Sequence, residues 1–211
     1  MAEAIFPAGC VVAVGLKSEA ALLPPGVRVV ISGGDPARLD ALWPRDATAV
    51  LSFGIAGGLA PGVATGELLV ASALWEAGER LAVDPAWQVA LQARCGARPA
   101  LLAAVAGLLA TTADKAALHR ASGALAVDME SGAAARFAMA RGIPLAVLRA
   151  VADGPEDTLP QAAAVGLHPD GSPAPWRVIR ALLRRPGELP TLLRLARASA
   201  AAHAALRRAL A

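Results

Sequence analysis

Carboxylates and a glycine-rich segment follow four apolar stretches of the chain, where side chains of these types could carry out acid–base chemistry. They are Glu19, the segment 52–58, the pair Asp128 and Glu130, and Asp153. If each stretch is a parallel strand, its carboxyl end lies at the sheet edge where α/β proteins bind ligands. Carboxyl groups gathered there would transfer protons or hold hydroxyl groups. The spacing therefore predicts one acidic ligand site.

Asp153 ends the run LRAVAD, which is apolar except for Arg149. Desolvation of a carboxyl group in such surroundings raises its pKa, and a raised pKa suits a general acid near neutral pH. The alternative is an aspartate that caps the loop after the strand. The residues alone leave both interpretations open.

Glu130, within Met129-Glu130-Ser131, lies where a strand meets a helix. Its carboxylate could accept hydrogen bonds from two vicinal hydroxyls, as a ribose presents them. The alternative is that Glu130 only enriches the helix start, which favours anions. Asp128 lies on the same strand face and would either support Glu130 or face a neighbouring subunit.

Three other features have ordinary structural explanations. Taken alone, Glu19 is more typical of an exposed helix carboxylate than of a general base. Lys115 is more typical of a solvated helix residue than of a functional one. The sequence GIAGG (54–58) predicts a tight turn, which would let backbone approach a ligand. It lacks the glycine spacing of dinucleotide and P-loop sites.

The three histidines show no metal-ligand spacing, so we expect no metal.

The elements that would position these residues alternate along the chain. Short runs rich in Val, Leu and Ile predict strands at 10–15, 27–32, 48–54, 66–72, 124–129 and 144–153. Helical spacing, with caps at Asp35, Asp84 and Ser131, predicts helices at 16–23, 36–43, 84–94, 113–121, 131–142, 175–185 and 188–209. The Ala- and Leu-rich segment 99–112 fits either type. We expect an α/β fold: a single domain with a central mixed, mostly parallel β-sheet flanked by helices.

Composition sets the broad class. The chain has 211 residues, of which 56% are hydrophobic and 18% charged, so it is long enough for one folded domain and is not disordered. Cys10 and Cys95 lie in apolar runs and predict buried thiols in a reducing, cytoplasmic compartment. MAEAIFPAGC lacks the basic stretch of a secretory signal. No apolar run is long enough to predict a transmembrane helix.

The charge is unevenly distributed. Residues 176–211 contain eight arginines and one acid, Glu188, so this segment carries +7 and the rest of the chain −4. We expect a body at 1–160 and a basic helical extension at 161–211 packed on the same domain. The extension would contact the inner face of an anionic membrane peripherally, or it would be an ordinary solvated helix pair. The acidic body and the lack of aromatic stackers disfavour nucleic-acid binding.

Together these residues resemble the purine nucleoside phosphorylase and nucleosidase superfamily. The similarity is carried by VVAVGLKSEA, LSFGIAGGLAPGVATGELLV, GALAVDMESGAAARFAMARGIP and LAVLRAVADGPED, over about residues 10–157. The segments AVDMES and RAVAD are the most specific. The run that begins LPQAAAVGLHPDGSPAPWRVIRALLRRP looks like the hopanoid-associated phosphorylase branch, which is linked to removal of adenine from adenosylhopane.

The resemblance implies a role for each matched residue. Asp153 would protonate the leaving purine, and Glu130, with Met129 beside it, would hold the ribose hydroxyls. Glu19 would activate water. Backbone at Ile55, Ala56 and Gly57 would border the base and the sugar.

The resemblance also implies a homodimer that needs no metal or organic cofactor, with inorganic phosphate as a possible co-substrate. Two features depart from the family pattern: VAGLLATTADK offers no aromatic to stack on the purine, and no phosphate-binding arginine motif is evident. The acceptor therefore stays open between water and phosphate. The expected substrate is a lipid-linked adenine nucleoside; the alternatives are a soluble nucleosidase for methylthioadenosine or adenosylhomocysteine, and a non-catalytic nucleoside- or lipid-binding protein.

Overall fold

Within the described residues, eight strands form one mixed sheet with helices on both faces. The computed structural model describes residues 5–33, 35–160, 172 and 175–211. The strands are β1 (Cys10–Val14), β2 (Arg28–Ile31), β3 (Ala49–Gly58), β4 (Leu68–Glu76), β5 (Glu79–Leu81), β6 (Arg98–Ala104), β7 (Ala126–Asp128) and β8 (Leu145–Asp153). The helices are α1 (Lys17–Ala20), α2 (Pro36–Leu42), α3 (Pro85–Cys95), α4 (Thr112–Ser122), α5 (Ser131–Arg141), α6 (Pro175–Arg184) and α7 (Leu189–Leu210). The α/β fold predicted from the sequence is confirmed.

Five of the strands close into a barrel. The order β3, β8, β4, β6, β7 is a ring, because each strand pairs with the next and β7 pairs back with β3. Strands β1 and β2 extend the sheet from β3 in parallel, and β5 extends it from β4. Closure places Gly57 in register with both Val127 and Asp153. The ends of β3, β7 and β8 therefore meet at one point.

Two large apolar clusters cover the two faces of the sheet, and a smaller third cluster lies around Leu59, Ala103 and Val127. Along β1, Val11 and Ala13 pack on the α2 and α5 side, whereas Val12 and Val14 pack on the α3 and α7 side. This alternation is the period of two expected for a strand with both faces covered. Arg149 in β8 is equally buried, although it is charged.

Local sequence explains most helix boundaries. The side chains of Asp35 and Asp84 accept hydrogen bonds from backbone N–H groups of the first turns of α2 and α3, as predicted. Gly142 ends α5 in a left-handed conformation. The predicted cap at Ser131 is wrong, because Asp128 accepts the hydrogen bonds from the Glu130 and Ser131 N–H groups.

The largest difference from the sequence prediction concerns GIAGG. Residues 54–58 are not a turn but the second half of β3, and they pair with β8 on one side and β7 on the other. Gly54 leaves room here for the side chains of Glu19 and Arg149. The ambiguous segment 99–112 includes most of β6 and the first residue of α4, and the sequence does not predict the three-residue strand β5.

Some predictions fall outside the described residues. Most of the loop predicted at 154–175 lies there, as do His168 and the N-terminal residues 1–4. Both cysteines are free thiols, Cys10 buried and Cys95 half-buried, and burial raises the pKa of Cys10 to about 12. Among the described helices, none combines the length and apolar character that a membrane span would need.

The last helix, α7, is part of the core. Ala202, Ala205, Leu206 and Ala209 are buried against Val70, Leu148 and Ala150 of the sheet. The same helix also carries exposed apolar residues, including Leu193. Its inner face therefore stabilises the fold, and its outer face is in solvent.

Replacing Leu206 should show this contribution. Leu206 is 0% exposed, so Leu206→Ala should lower the free energy of unfolding by about 2–5 kcal/mol through lost burial and the cavity left behind. Leu193 is 49% exposed, and Leu193→Ala is the matched control, with a change within about 0.5 kcal/mol. Urea denaturation measures both. Equal losses in the two variants would contradict the packing described here.

Candidate active site

A fully buried arginine organises one end of the site. Arg149 Nη2 donates hydrogen bonds to Ser52 Oγ at 2.6 Å and Asp128 Oδ1 at 2.9 Å, and lies 3.8 Å from Glu130 Oε2. Burial alone would lower the pKa of Arg149, but Asp128, Glu130 and Glu19 together raise it. Within the described residues, Arg149 Nε and Nη1 have no hydrogen-bond partner. The guanidinium thus stays charged and is held at one edge only.

Glu19 is buried beside this arginine, so the exposed alternative is wrong. Its Oε2 accepts hydrogen bonds from the N–H groups of Gly15 at 2.9 Å and Leu16 at 2.8 Å, and its Oε1 accepts one from Ile55 at 2.8 Å. Burial raises the pKa of Glu19, against the opposing effects of Arg149 and of these N–H groups. The carboxyl group is therefore fixed in position and more basic than an exposed glutamate.

Gly54 makes this arrangement possible. It is the register partner of Arg149 across β3 and β8. A Cβ atom at Gly54 would lie 2.7 Å from Arg149 Nη1 and would overlap the Glu19 carboxylate. The absence of a side chain therefore lets Glu19 and Arg149 approach the same stretch of backbone.

Glu130 completes the cluster. Ser32 Oγ donates to its Oε1 at 3.2 Å, and a Cβ atom at Gly15 would lie only 2.7 Å from that oxygen. Burial raises the pKa of Glu130 to about 7; Arg149 lowers it, and Asp128 and Glu19 raise it further. Glu130 and Glu19 thus converge on Gly15 with a shared tendency to retain a proton.

Asp128 supports the cluster from behind, as one of the two alternatives predicted. It accepts hydrogen bonds from the Glu130 N–H at 2.9 Å, the Ser131 N–H at 2.7 Å, the Ser131 hydroxyl at 2.7 Å and Arg149. These bonds orient the start of α5, and with it Glu130, relative to Arg149. The role of Asp128 in the described structure is therefore to position its neighbours.

Asp153 lies at the second end of the site, against Lys115. Lys115 Nζ donates to Asp153 Oδ2, to the Gly154 carbonyl at 2.7 Å and to the Asp157 carbonyl at 2.9 Å. Burial raises the pKa of Asp153, and the hydrogen bond and charge of Lys115 oppose that rise. Lys115 is itself buried, so the prediction of a solvated lysine is wrong.

A small cavity lies at the Asp153 end, next to the carboxylate cluster. Its lining includes Gly57 of β3, Met129, Lys115 and Asp153, together with Asp128, which also binds Arg149. Its remaining walls are aliphatic and come largely from Val105, Leu108 and Leu109. The segment VAGLLATTADK, which offers no aromatic, thus provides an apolar wall and, at its end, the buried lysine.

The structure brings most of the predicted site residues together. Gly57, Met129 and Asp153 meet at the cavity, and Glu19 and Glu130 meet at Arg149. The Ile55 N–H holds Glu19, and the Ala56 side chain is buried in the core. The predicted backbone contacts of these two residues with a base and a sugar stay a prediction. Sequence reasoning missed Lys115 and the central role of Arg149. A charged residue inside an apolar strand was the one signal for Arg149.

The raised pKa of Glu130 makes stability depend on pH. Folded Glu130 holds its proton up to about pH 7, whereas an ordinary glutamate loses it near 4.5, so the folded state binds more protons between these values. The free energy of unfolding should therefore fall as pH rises through this window. Glu19 and Asp153, whose pKa values are also raised, act in the same direction.

The test is the unfolding free energy of Glu130→Gln, measured in urea on both sides of that window. We expect the variant to lose part of the pH dependence, because its amide does not titrate. The exposed Glu79→Gln is the control and should follow the wild-type curve. Parallel curves for wild type and Glu130→Gln would show that Glu130 is not the titrating group.

Comparison with solved structures confirms the fold. Futalosine hydrolase of Helicobacter pylori strain 26695 matches with a TM-score of 0.64 and 14% identity, over 83% of this chain and 97% of that one. The 5'-methylthioadenosine/S-adenosyl homocysteine nucleosidase of Campylobacter jejuni matches with a TM-score of 0.61 and 16% identity, over 89% and 97%. The nucleosidase from S. pneumoniae with the transition-state inhibitor MT-ImmA matches with a TM-score of 0.61 and 19% identity, over 82% and 96%.

A search of curated proteins finds no match. The family comparison is more specific than the structural likenesses, because the model of the phosphorylase superfamily matches residues 37–184. That range is more than half of the chain and includes Asp128, Glu130, Arg149 and Asp153. The chain belongs to the phosphorylase superfamily.

Proposed function

We propose that this protein hydrolyses the N-glycosidic bond of a purine nucleoside. The observation that carries the proposal is the division of the site into two ends with different charge. Three buried carboxyl groups surround Arg149 at one end, and the Asp153–Lys115 pair lies at the other. Breaking this bond makes the ribose cationic and requires a neutralised leaving base, so each end matches one need of the reaction.

The carboxylate end suits the sugar. With a single guanidinium among three acidic side chains, this end is negative overall whenever more than one of them is ionised. Negative charge placed beforehand stabilises the oxocarbenium-like ribose of the transition state. Glu130 in its ionised form offers two acceptor oxygens for the vicinal ribose hydroxyls. We assign Glu130, with Met129 next to it, to ribose binding.

The cavity end suits the purine. Its aliphatic walls would sandwich a flat base without an aromatic partner, and Asp153 reaches the cavity with a raised pKa. A carboxyl group that retains its proton can donate it to the leaving base. Gly57 allows this approach, since a Cβ atom there would lie 3.3 Å from Asp153 Oδ2. We assign Asp153 as the general acid.

Water fits the acceptor position better than phosphate. A carboxylate offers about four acceptor sites, and backbone N–H groups fill three of those on Glu19. The remaining site can hold and deprotonate one water molecule. A phosphate anion would be repelled by the three carboxylates that surround Arg149. The proposal thus needs no phosphate, metal or organic cofactor.

The finer proposal is that the substrate is an adenine nucleoside with an apolar group, such as adenosylhopane. It rests on the C-terminal segment, whose helix α7 contacts the site from outside: His203 Nε2 lies 3.0 Å from Ser18 Oγ beside Glu19, and Arg194 pairs with Asp157 at 3.0 Å. Helix α6 exposes Ile179 and Leu183, the latter by 79%. An exposed, apolar and arginine-rich helix in the same C-terminal segment would suit a lipid-linked substrate. The homodimer implied by the resemblance stays a prediction.

The experiment is adenine release from adenosylhopane in detergent and from methylthioadenosine, each with and without inorganic phosphate. We expect release without phosphate. Asp153→Asn should reduce the rate by about 10²- to 10⁴-fold, the usual contribution of a positioned acid, while nucleoside binding persists. The exposed Asp46→Asn is the matched control and should keep the wild-type rate.

Each other outcome points to a different function. Release that requires phosphate would make the protein a phosphorylase and contradict the role of Glu19. Turnover of methylthioadenosine but not of the lipid-linked nucleoside would favour a soluble nucleosidase. No turnover of either would favour the binding protein, and a wild-type rate for Asp153→Asn would show that the acid is assigned wrongly.

The peripheral membrane contact is tested separately with liposomes. Each arginine near an anionic surface contributes about 1 kcal/mol, so the double variant Arg180→Gln/Arg184→Gln should bind anionic vesicles about 30-fold more weakly. The control pair Arg94→Gln/Arg120→Gln removes two exposed charges from the body and should bind like the wild type. Binding that is unchanged in the first pair would exclude α6 as the contact surface.

A further inference from the structure

Lys115 lies inside the protein, where lysine is rarely found unless it is paired. It is 1% exposed, although it extends from α4, a helix with a largely exposed outer face. Three oxygens receive its hydrogen bonds: Asp153 Oδ2 and the carbonyls of Gly154 and Asp157. An ammonium group has three N–H donors and no acceptor, so this environment matches its hydrogen-bonding capacity in full.

We infer that Lys115 is a positioning residue of the active site, which holds one carboxylate oxygen of Asp153 and leaves the other for the leaving purine. Within the described part of the chain, Asp153 Oδ2 is bound by Lys115, and Oδ1 receives no hydrogen bond. Both oxygens face Gly57 at the cavity wall. The inference rests on the proposed function, in which Asp153 is the acid.

Lys115 also fixes the backbone that carries Asp153. The turn that follows is closed by the Gly154 N–H, which donates to Asp157 Oδ2 at 2.8 Å. By binding the carbonyls at both ends of this turn, Lys115 ties it to α4. Misplacement of a catalytic group by 1 Å can reduce a rate by about 10²-fold, so this anchoring has a direct catalytic consequence.

The charge of Lys115 has a second effect, on the proton of Asp153. Burial raises the pKa of Asp153, Lys115 lowers it, and Asp157 raises it. Asp128 lines the same cavity from β7, and Arg194 of α7 partly offsets Asp157. Lys115 is the one cation bonded directly to Asp153 among the described residues. Its removal should therefore let Asp153 keep its proton to a higher pH.

A purely structural ion pair would behave differently. Breaking it would lower stability and the yield of folded protein, but the folded fraction would keep the pH dependence and the kcat of the wild type. Positioning, in contrast, predicts changes in kcat and in the pH profile that do not depend on stability. The two roles can therefore be separated by measuring folded protein only.

Lys115→Met removes the charge and keeps the length of the side chain, and Lys115→Arg keeps the charge with a different shape. Arg120→Met is the control, since it removes an exposed charge from the same helix. We measure kcat and KM against pH on a nucleoside that the wild type cleaves, and we titrate the Asp153 carboxyl carbon by NMR, with Asp153→Asn for assignment.

In Lys115→Met we expect kcat to fall about 10- to 100-fold with a smaller change in KM. The loss of rate at high pH and the NMR titration of Asp153 should both move to higher pH. Lys115→Arg should keep the wild-type pH profile with an intermediate kcat. Arg120→Met should match the wild type in every measurement.

An unchanged pH profile and an unchanged titration in folded Lys115→Met would overturn the inference. If that variant does not fold, Lys115→Arg decides, because a kcat equal to that of the wild type would show that the position of Asp153 does not depend on Lys115. The NMR titration needs no substrate. A wild type that cleaves no nucleoside would thus refute the proposed function, while the titration still tests the pairing of Lys115 with Asp153.

Discussion

The burial of Arg149 is the constraint on which the site depends. A guanidinium group inside a protein is costly unless acidic partners and hydrogen bonds compensate it. In this chain the compensation comes from separate elements: Ser52 from β3, Asp128 from the end of β7, Glu130 from the start of α5 and Glu19 from α1. Three of these groups are acidic, so one guanidinium faces more carboxyl groups than it can neutralise. The excess is what makes the cluster chemically useful, because it holds raised pKa values in a fixed geometry.

Space is the second constraint, and glycines satisfy it. Charged side chains of this size reach one another only where the intervening backbone carries no Cβ, as at Gly15 beside Glu130 and at Gly54 beside Glu19 and Arg149. This explains why GIAGG is a strand although its composition predicts a turn. Glycine tolerates conformations that other residues avoid, and this is all that the local sequence indicates. The need for glycine at position 54 comes from Glu19 and Arg149, which are about 35 and 95 positions away in sequence and are brought near by the assembled sheet.

The same distinction separates what the sequence predicts from what it does not. Apolar runs predict six of the strands, and helical spacing with Asp caps predicts the main helices, because both signals depend on residues that are close in sequence. The convergence of the carboxylates follows from placing the ends of these strands at one sheet edge. Burial of Glu19 and Lys115 was missed, since α1 and α4 present ordinary polar helix sequences and the partners that bury them come from β3 and from the turn after β8. The residue type of Ser131 predicts the helix cap, whereas Asp128, three residues earlier, accepts the hydrogen bond from the Ser131 N–H.

In the proposed function, the two ends of the site stabilise charge in opposite ways. At the sugar end one cation holds three carboxyl groups, so charge is left over to stabilise a developing positive ribose. At the base end one cation holds one carboxyl group, so the Lys115–Asp153 pair becomes neutral when protonated Asp153 gives its proton to the purine, and no strongly charged wall is left. Asp128 lies in both, bonded to Arg149 and lining the cavity of Asp153. The bond to be broken would then lie across a boundary between negative and neutral surroundings, and heterolysis with the cation on the sugar is the direction that this boundary favours.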